Sequence, residues 1–237
     1  MSAAGFVGAV SIDWSWVARN GDRIYAQFLE HIQLTVLAVA IGFAIAAPLA
    51  VYAYRHRWFY APVTSVTGVL YTIPSLALFA FLQPYTGLTV QTAEIGLVSY
   101  TLLILIRNTV AGLGGVPSDV REAARGMGYS ERQLLWRVEL PLALPVIVAG
   151  IRLATVTTIG LVTVTALIGK GGLGAFILAG MRTDFVTATL VGSTLSLLLG
   201  VAADAVLVLL ERAVTPWSRV RRLDRGEFAS LAPKVSS

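Results

Sequence analysis

Residues 34–54 form a run of 21 positions without one charged side chain, ended abruptly by Arg55, His56 and Arg57. As a helix rising 1.5 Å per residue the run measures about 31 Å, the thickness of a bilayer's hydrocarbon core. Inside lipid every backbone N–H and C=O must be satisfied within the protein, so a continuous apolar run of this length reads as a membrane helix. Further runs follow. Residues 58–93 are uncharged, too long for one crossing, and broken by Pro84 and Gly87. They read as a helix near 62–82, kinked at Pro74, followed by a turn over 83–89. A third span is expected over 92–111, with Arg107 towards one end. A fourth covers 142–168, interrupted only by Arg152, and a fifth covers 185–210, interrupted only by Asp204.

The charge content agrees. Only 13% of the 237 residues are charged, against roughly a quarter in soluble domains, and mean hydropathy is +0.76. The net charge of +5 does not indicate a nucleic-acid partner, because the basic residues sit in the gaps between the apolar runs. Fourteen fall on one side of a five-span arrangement, namely Arg55, Arg57, Arg107, Arg121, Arg125, Arg132, Arg137, Arg152, Arg212, Arg219, Arg221, Arg222, Arg225 and Lys234. Four fall on the other, Arg19, Arg23, Lys170 and Arg182. Basic residues accumulate on the cytoplasmic side, so the N-terminus is expected outside and the C-terminus inside. The expected fold is therefore an all-α integral membrane protein of about five transmembrane helices in the plasma or inner membrane. An extracytoplasmic or interfacial segment over 1–29, a membrane domain over 30–212 and a basic cytoplasmic tail over 213–237 complete the organisation. No basic residue precedes Arg19, and the first ten residues are too weakly apolar for a cleaved signal. Cysteine is absent, which excludes a disulfide framework and thiolate chemistry.

The central polar gap, 117–141, carries the functional information. Ser118 is placed to cap a short helix ending at Gly126 or Gly128. Ser130 is placed to cap a second, with Gln133 completing a capping box. Pro141 is expected to close that second helix. Two short helices on the cytoplasmic face fit these signals; an interfacial helix with Leu134, Leu135 and Val138 in lipid and Arg132 and Arg137 at headgroups fits them equally by periodicity.

Within this gap stand Glu122-Ala123-Ala124, Gly128 six residues after the glutamate, and Val138-Glu139-Leu140-Pro141 after nine more. The pattern resembles the EAA loop of ABC importer permeases, in which Glu-Ala-Ala, three residues, Gly, nine residues and Ile-x-Leu-Pro recur; here Val138 replaces Ile. Thr72-Ile73-Pro74-Ser75-Leu76-Ala77, Ile106-Arg107-Asn108-Thr109, residues 121–128 and residues 166–174 are similar to the osmoprotectant branch, with Lys170 departing from its small-residue pattern. That branch imports glycine betaine, choline, carnitine or proline-like compounds.

The resemblance implies that Glu122, Ala123, Ala124, Arg125, Gly126, Met127, Gly128, Leu140 and Pro141 couple the membrane domain to an ATPase. It implies a separate ABC ATPase dimer as partner, holding ATP and Mg, since this chain has no GxxxxGK[ST] sequence. It also implies a second permease, identical or homologous, and an extracytoplasmic solute-binding protein. The chain itself is then a permease and not an enzyme, with no cofactor, catalytic or metal site of its own. Asp204 in mid-span needs a partner, and Arg152 or Arg107 is expected to supply it. The competing reading is an ion-coupled secondary transporter using Glu94, Asp204 and Arg152. An odd number of spans does not divide into the paired repeats that many such carriers use. His31 and His56, the only histidines, lie at opposite ends of the first span and do not form a hydrolase site.

Overall fold

The computed structural model describes residues 12–215. Residues 1–11 and 216–237, which include Trp217 and the basic positions from Arg219 to Lys234, lie outside the described residues.

Helix α1 (Trp14–Arg19) is capped by the Asp13 carboxylate, which accepts from the Trp16 backbone N–H at 2.9 Å. Helix α2 (Gly21–Arg55) has 35 residues and is about 50 Å long, exceeding a bilayer core. It begins thirteen residues before the charge-free run, since charged residues such as Asp22 and Arg23 are compatible with helix outside lipid. The apolar run marks the lipid-crossing part, not the helix.

Leu34, Ala38, Gly42, Ala46 and Ala50 are buried at every fourth position of α2, making a face of mostly small residues. Lipid chains are as apolar as leucine, so membrane helices associate through close packing, which small faces permit. At Gly42 an added Cβ would lie 3.1 Å from the Thr101 Cβ and closer still to the Thr101 hydroxyl. Thr101 belongs to α5 (Val90–Gly114), the centre of the bundle, which packs on α2 and on α8 (Leu140–Val164). Ala46, Ala50, Leu105, Ile106 and Ala154 fill the contact among these three helices. Helix α10 (Val186–Val214) leans on α8 and on α9 (Gly174–Arg182), and no residue of its most apolar stretch is fully buried.

Among the described residues, four helical segments are long and apolar enough to cross a membrane: Gly21–Arg55, Val90–Gly114, Glu131–Ile168 and Val186–Val214. The expected second span differs in form. Instead of one kinked helix over 62–82, α3 (Arg57–Thr72) and α4 (Ser75–Thr86) meet at 94°, giving five crossings if the bent pair is one. Pro74 lacks a donor and forces the preceding Ile73 into an extended conformation (φ −63°, ψ 127°), so the helix breaks rather than bends. The Tyr100 hydroxyl on α5 donates to the Ile73 carbonyl exposed by that break.

Beyond α5 the chain forms α6 (Ser118–Gly126) and then α7 (Glu131–Leu134), whose capping box at Ser130 and Gln133 is present. Pro141 does not close that second helix. A π-helical turn (Leu135–Glu139) joins α7 to α8 without a break, and Leu140 N–H reaches back five residues to Leu135 O. The widened turn accommodates a proline that cannot donate to the residue four before it. Leu134 and Leu135 are buried inside the protein, so they do not face lipid as an interfacial helix would require.

A 3₁₀ turn (Thr165–Ile168) ends α8, and the glycine-rich segment 169–174 is packed against helices. A Cβ at Gly172 would lie 2.7 Å from that of His31, which is itself buried and bonded to the Ile159 carbonyl at 3.0 Å. Trp16 stacks edge-on with Phe176 and Phe185, tying the N-terminal segment to α9 and the start of α10.

Candidate coupling loop and intramembrane ion pair

Helix α6 has an acidic residue, Asp119, in its first turn and Arg125 in its last, the arrangement the helix dipole favours. Ser118 is its first residue rather than its cap; Pro117 occupies the cap position without a side-chain bond. The helix ends through paired reversals of its last carbonyls. Gly128 N–H bonds to Arg125 O at 2.9 Å and Tyr129 N–H to Ala124 O at 3.2 Å. This is a Schellman end, which needs a left-handed residue, and Gly128 supplies it at φ +83°.

The nine residues of the coupling pattern divide into two faces. Glu122, Ala123, Arg125, Gly126, Met127 and Gly128 are exposed, and Met127 retains 71% of its surface. Ala124 is buried at 2% exposure, so of the two alanines only Ala123 is free for an external groove. Leu140 and Pro141 are half-buried at the start of α8, and Leu140 packs beside Leu113, Leu135, Ala143 and Ile147.

Two residues that the motif left unassigned complete the loop. Tyr54, in the last turn of α2, accepts from Arg121 Nη1 at 2.8 Å and donates to Glu139 Oε1 at 2.8 Å. Glu139 lies on the π turn and is 4% exposed. The signal for it was an acid set between the apolar Val138 and Leu140; nothing in the sequence paired it with Tyr54, 85 residues away. A second tie is the Arg125–Glu131 ion pair at 3.0 Å, whose hydrogen bond raises the Arg125 pKa. Both side chains are more than half exposed, so screening leaves it little weight. Arg55 Nη2 also donates to the Glu131 carbonyl at 2.9 Å.

Arg152 Nε on α8 lies 2.9 Å from Asp204 Oδ1 on α10. Its Nη1 lies 3.6 Å from Glu211 Oε2, two helical turns further along α10. Glu211 was missed, although a spacing of seven puts it on the Asp204 face. Arg107 does not join the cluster; it is exposed on α5. Glu94 is half-buried on α5, and neither of its buried carboxylate oxygens has a hydrogen-bond partner among the described residues. Thr155 and Thr163 bond to carbonyls of their own helix, at 2.8 and 2.7 Å.

Residues 37–216 match the family described as binding-protein-dependent transport system inner membrane component. The chain belongs to that family.

The permease is 38% identical over 202 residues to the osmoprotectant import permease protein OsmW of Salmonella typhimurium, covering 83% of this chain and 94% of that protein. It is 37% identical over 224 residues to the glycine betaine/carnitine/choline transport system permease protein OpuCD of Bacillus subtilis, covering 94% and 96%. Among solved structures it is similar in fold to a chain of the MetNI methionine ABC transporter in an inward-facing conformation. That match has a TM-score of 0.72 at 24% identity, over 81% of the permease and 96% of that chain. A chain of an amino acid ABC transporter is similar with a TM-score of 0.67 at 19% identity, over 86% and 99%. The permease is thus a multi-pass inner-membrane component of an ATP-driven importer, not an enzyme, and the ion-coupled carrier reading is set aside.

Proposed function

We propose that this permease imports a compatible solute of the glycine betaine, choline, carnitine or proline-like class. A solute-binding protein delivers the solute from outside, and a separate ATPase dimer with its ATP and Mg drives transport. Helix α6 is the docking element. The observation that carries this reading is its form: a short helix closed by its own glycine turn, with Glu122, Ala123 and Met127 exposed and Ala124 buried. Ala123 lets the helix sink into a groove, Met127 adapts to an apolar floor, and Glu122 makes charge-assisted bonds at the rim. Closure of the ATPases then moves α6 and switches the membrane helices between outward and inward access. The N-terminus lies outside and the C-terminus inside, supported by the basic residues on the loop side of the bundle. The membrane domain runs from about residue 30 to 212.

A second permease copy or a homologue completes the path. Arg152 and Asp204 support this, being 37% and 45% exposed in one chain on helical segments apolar enough to cross a membrane, where charge is costly. Reconstituted with ATPase and binding protein, the permease is expected to accumulate labelled glycine betaine or a relative only with ATP present. Uptake that continues without ATP or without the ATPase overturns the proposal.

A further inference from the structure

We infer that Tyr54 is a positioning residue for coupling, the strut through which α6 is held to two membrane helices at once. The inference rests on the reading of α6 as the docking helix. Among the described residues, two side chains of α6 bond to other elements: Arg121 to Tyr54 and Arg125 to Glu131. The second is solvent-exposed and ends on α7. The first ends on α2, where the Tyr54 ring packs against the cluster of Leu113, Leu135, Ala143 and Ile147.

Chemistry gives the chain one polarity. A guanidinium only donates and a carboxylate only accepts, so the hydroxyl accepts from Arg121 and passes its own proton's bond to Glu139. Glu139 is 4% exposed on the π turn, where a carboxylate without a partner is costly. Tyr54 therefore connects a cation on α6 with a buried anion at the root of α8, through the cytoplasmic end of α2. A displacement of α6 pulls on both long helices together. Without the hydroxyl, α6 keeps its Ala124 contact and its elbow, but its motion is no longer passed on to α2 and α8.

The test uses the permease assembled with its ATPase and binding protein in liposomes and measures ATP hydrolysed per solute imported. Tyr54→Phe is expected to assemble and to hydrolyse ATP, with the ratio raised roughly 3- to 10-fold, as for other substitutions along a coupled network. Arg121→Met, which leaves the Tyr54–Glu139 bond in place and removes the tie to α6, is expected to raise it similarly. Lower yield or thermal stability with an unchanged ratio in the first two variants overturns the inference, because that is what a merely structural bond would give. Met127→Glu, on the exposed face of α6, tests the underlying reading. If it leaves ATPase binding intact, docking through α6 is wrong; if it abolishes binding while Tyr54→Phe keeps the parental ratio, only the strut is wrong.

Discussion

Arg152 Nε and Asp204 Oδ1 lie 2.9 Å apart across the α8–α10 contact, and the same guanidinium is shared with Glu211 at 3.6 Å. One cation thus serves two carboxylates within membrane helices. Its loss leaves two like charges unpaired, whereas loss of Asp204 leaves the Arg152–Glu211 pair.

Asp204→Asn is therefore expected to destabilise the permease by about 1 kcal/mol, the low end for a pair more than a third exposed, and Arg152→Ala by more. Thermal unfolding in detergent measures both. An Asp204→Asn protein that unfolds like the parent but binds or transports solute with altered apparent affinity would show a solute contact instead of a structural pair.

Gly128→Val places a β-branched residue at φ +83°, which costs it far more than glycine. A Cβ added there meets nothing within 4 Å beyond the adjoining residues, so the strain is in the backbone alone. The variant is expected to insert and fold its spans normally and to lose solute-stimulated ATP hydrolysis and uptake together. Gly128→Ala should lie between. Parental coupled transport in the valine variant removes the main support for α6 as a coupling element.

Tyr100→Phe removes the donor that satisfies the Ile73 carbonyl at the α3–α4 break. A fully buried carbonyl left without a partner costs roughly 1–3 kcal/mol, and this half-buried one is expected near the low end. The expected outcome is a lower unfolding temperature and faster proteolysis near Ile73 and Pro74; an unchanged protein would mean that water or lipid headgroups reach the break.

The orientation is tested by single cysteines in a chain that has none of its own. Leu88, which is 57% exposed, and Gly114, whose added Cβ meets nothing within 4 Å, are suitable positions. In intact cells an impermeant thiol reagent should label Leu88→Cys and not Gly114→Cys. Labelling of both from outside rejects the five-span arrangement with its N-terminus outside.

Sequence alone determined what lipid and local bonding dictate. The charge-free run before Arg55 marks a membrane helix because an unsatisfied backbone or a stray charge is expensive in hydrocarbon, whatever lies beside it. Ser130 with Gln133, and Gly128 after α6, are local in the same sense, since a cap or a left-handed turn involves residues within one or two turns of each other. The partner for Asp204 was narrowed to two arginines by depth alone; choosing Arg152 over Arg107 required knowing that α8, and not α5, packs on α10. Pro74 announced a distortion, but neither the 94° angle nor the Tyr100 hydroxyl that meets the freed Ile73 carbonyl from another helix was legible locally. Pro141 announced a helix end by the same local rule, yet a π turn carried the helix through it, with its Leu135 and Glu139 buried against neighbours. Tyr54 and Glu139 show the limit most plainly. Each is unremarked in its own stretch of chain, and what joins them with Arg121 is the folding of residues 85 and 67 positions apart onto one hydroxyl.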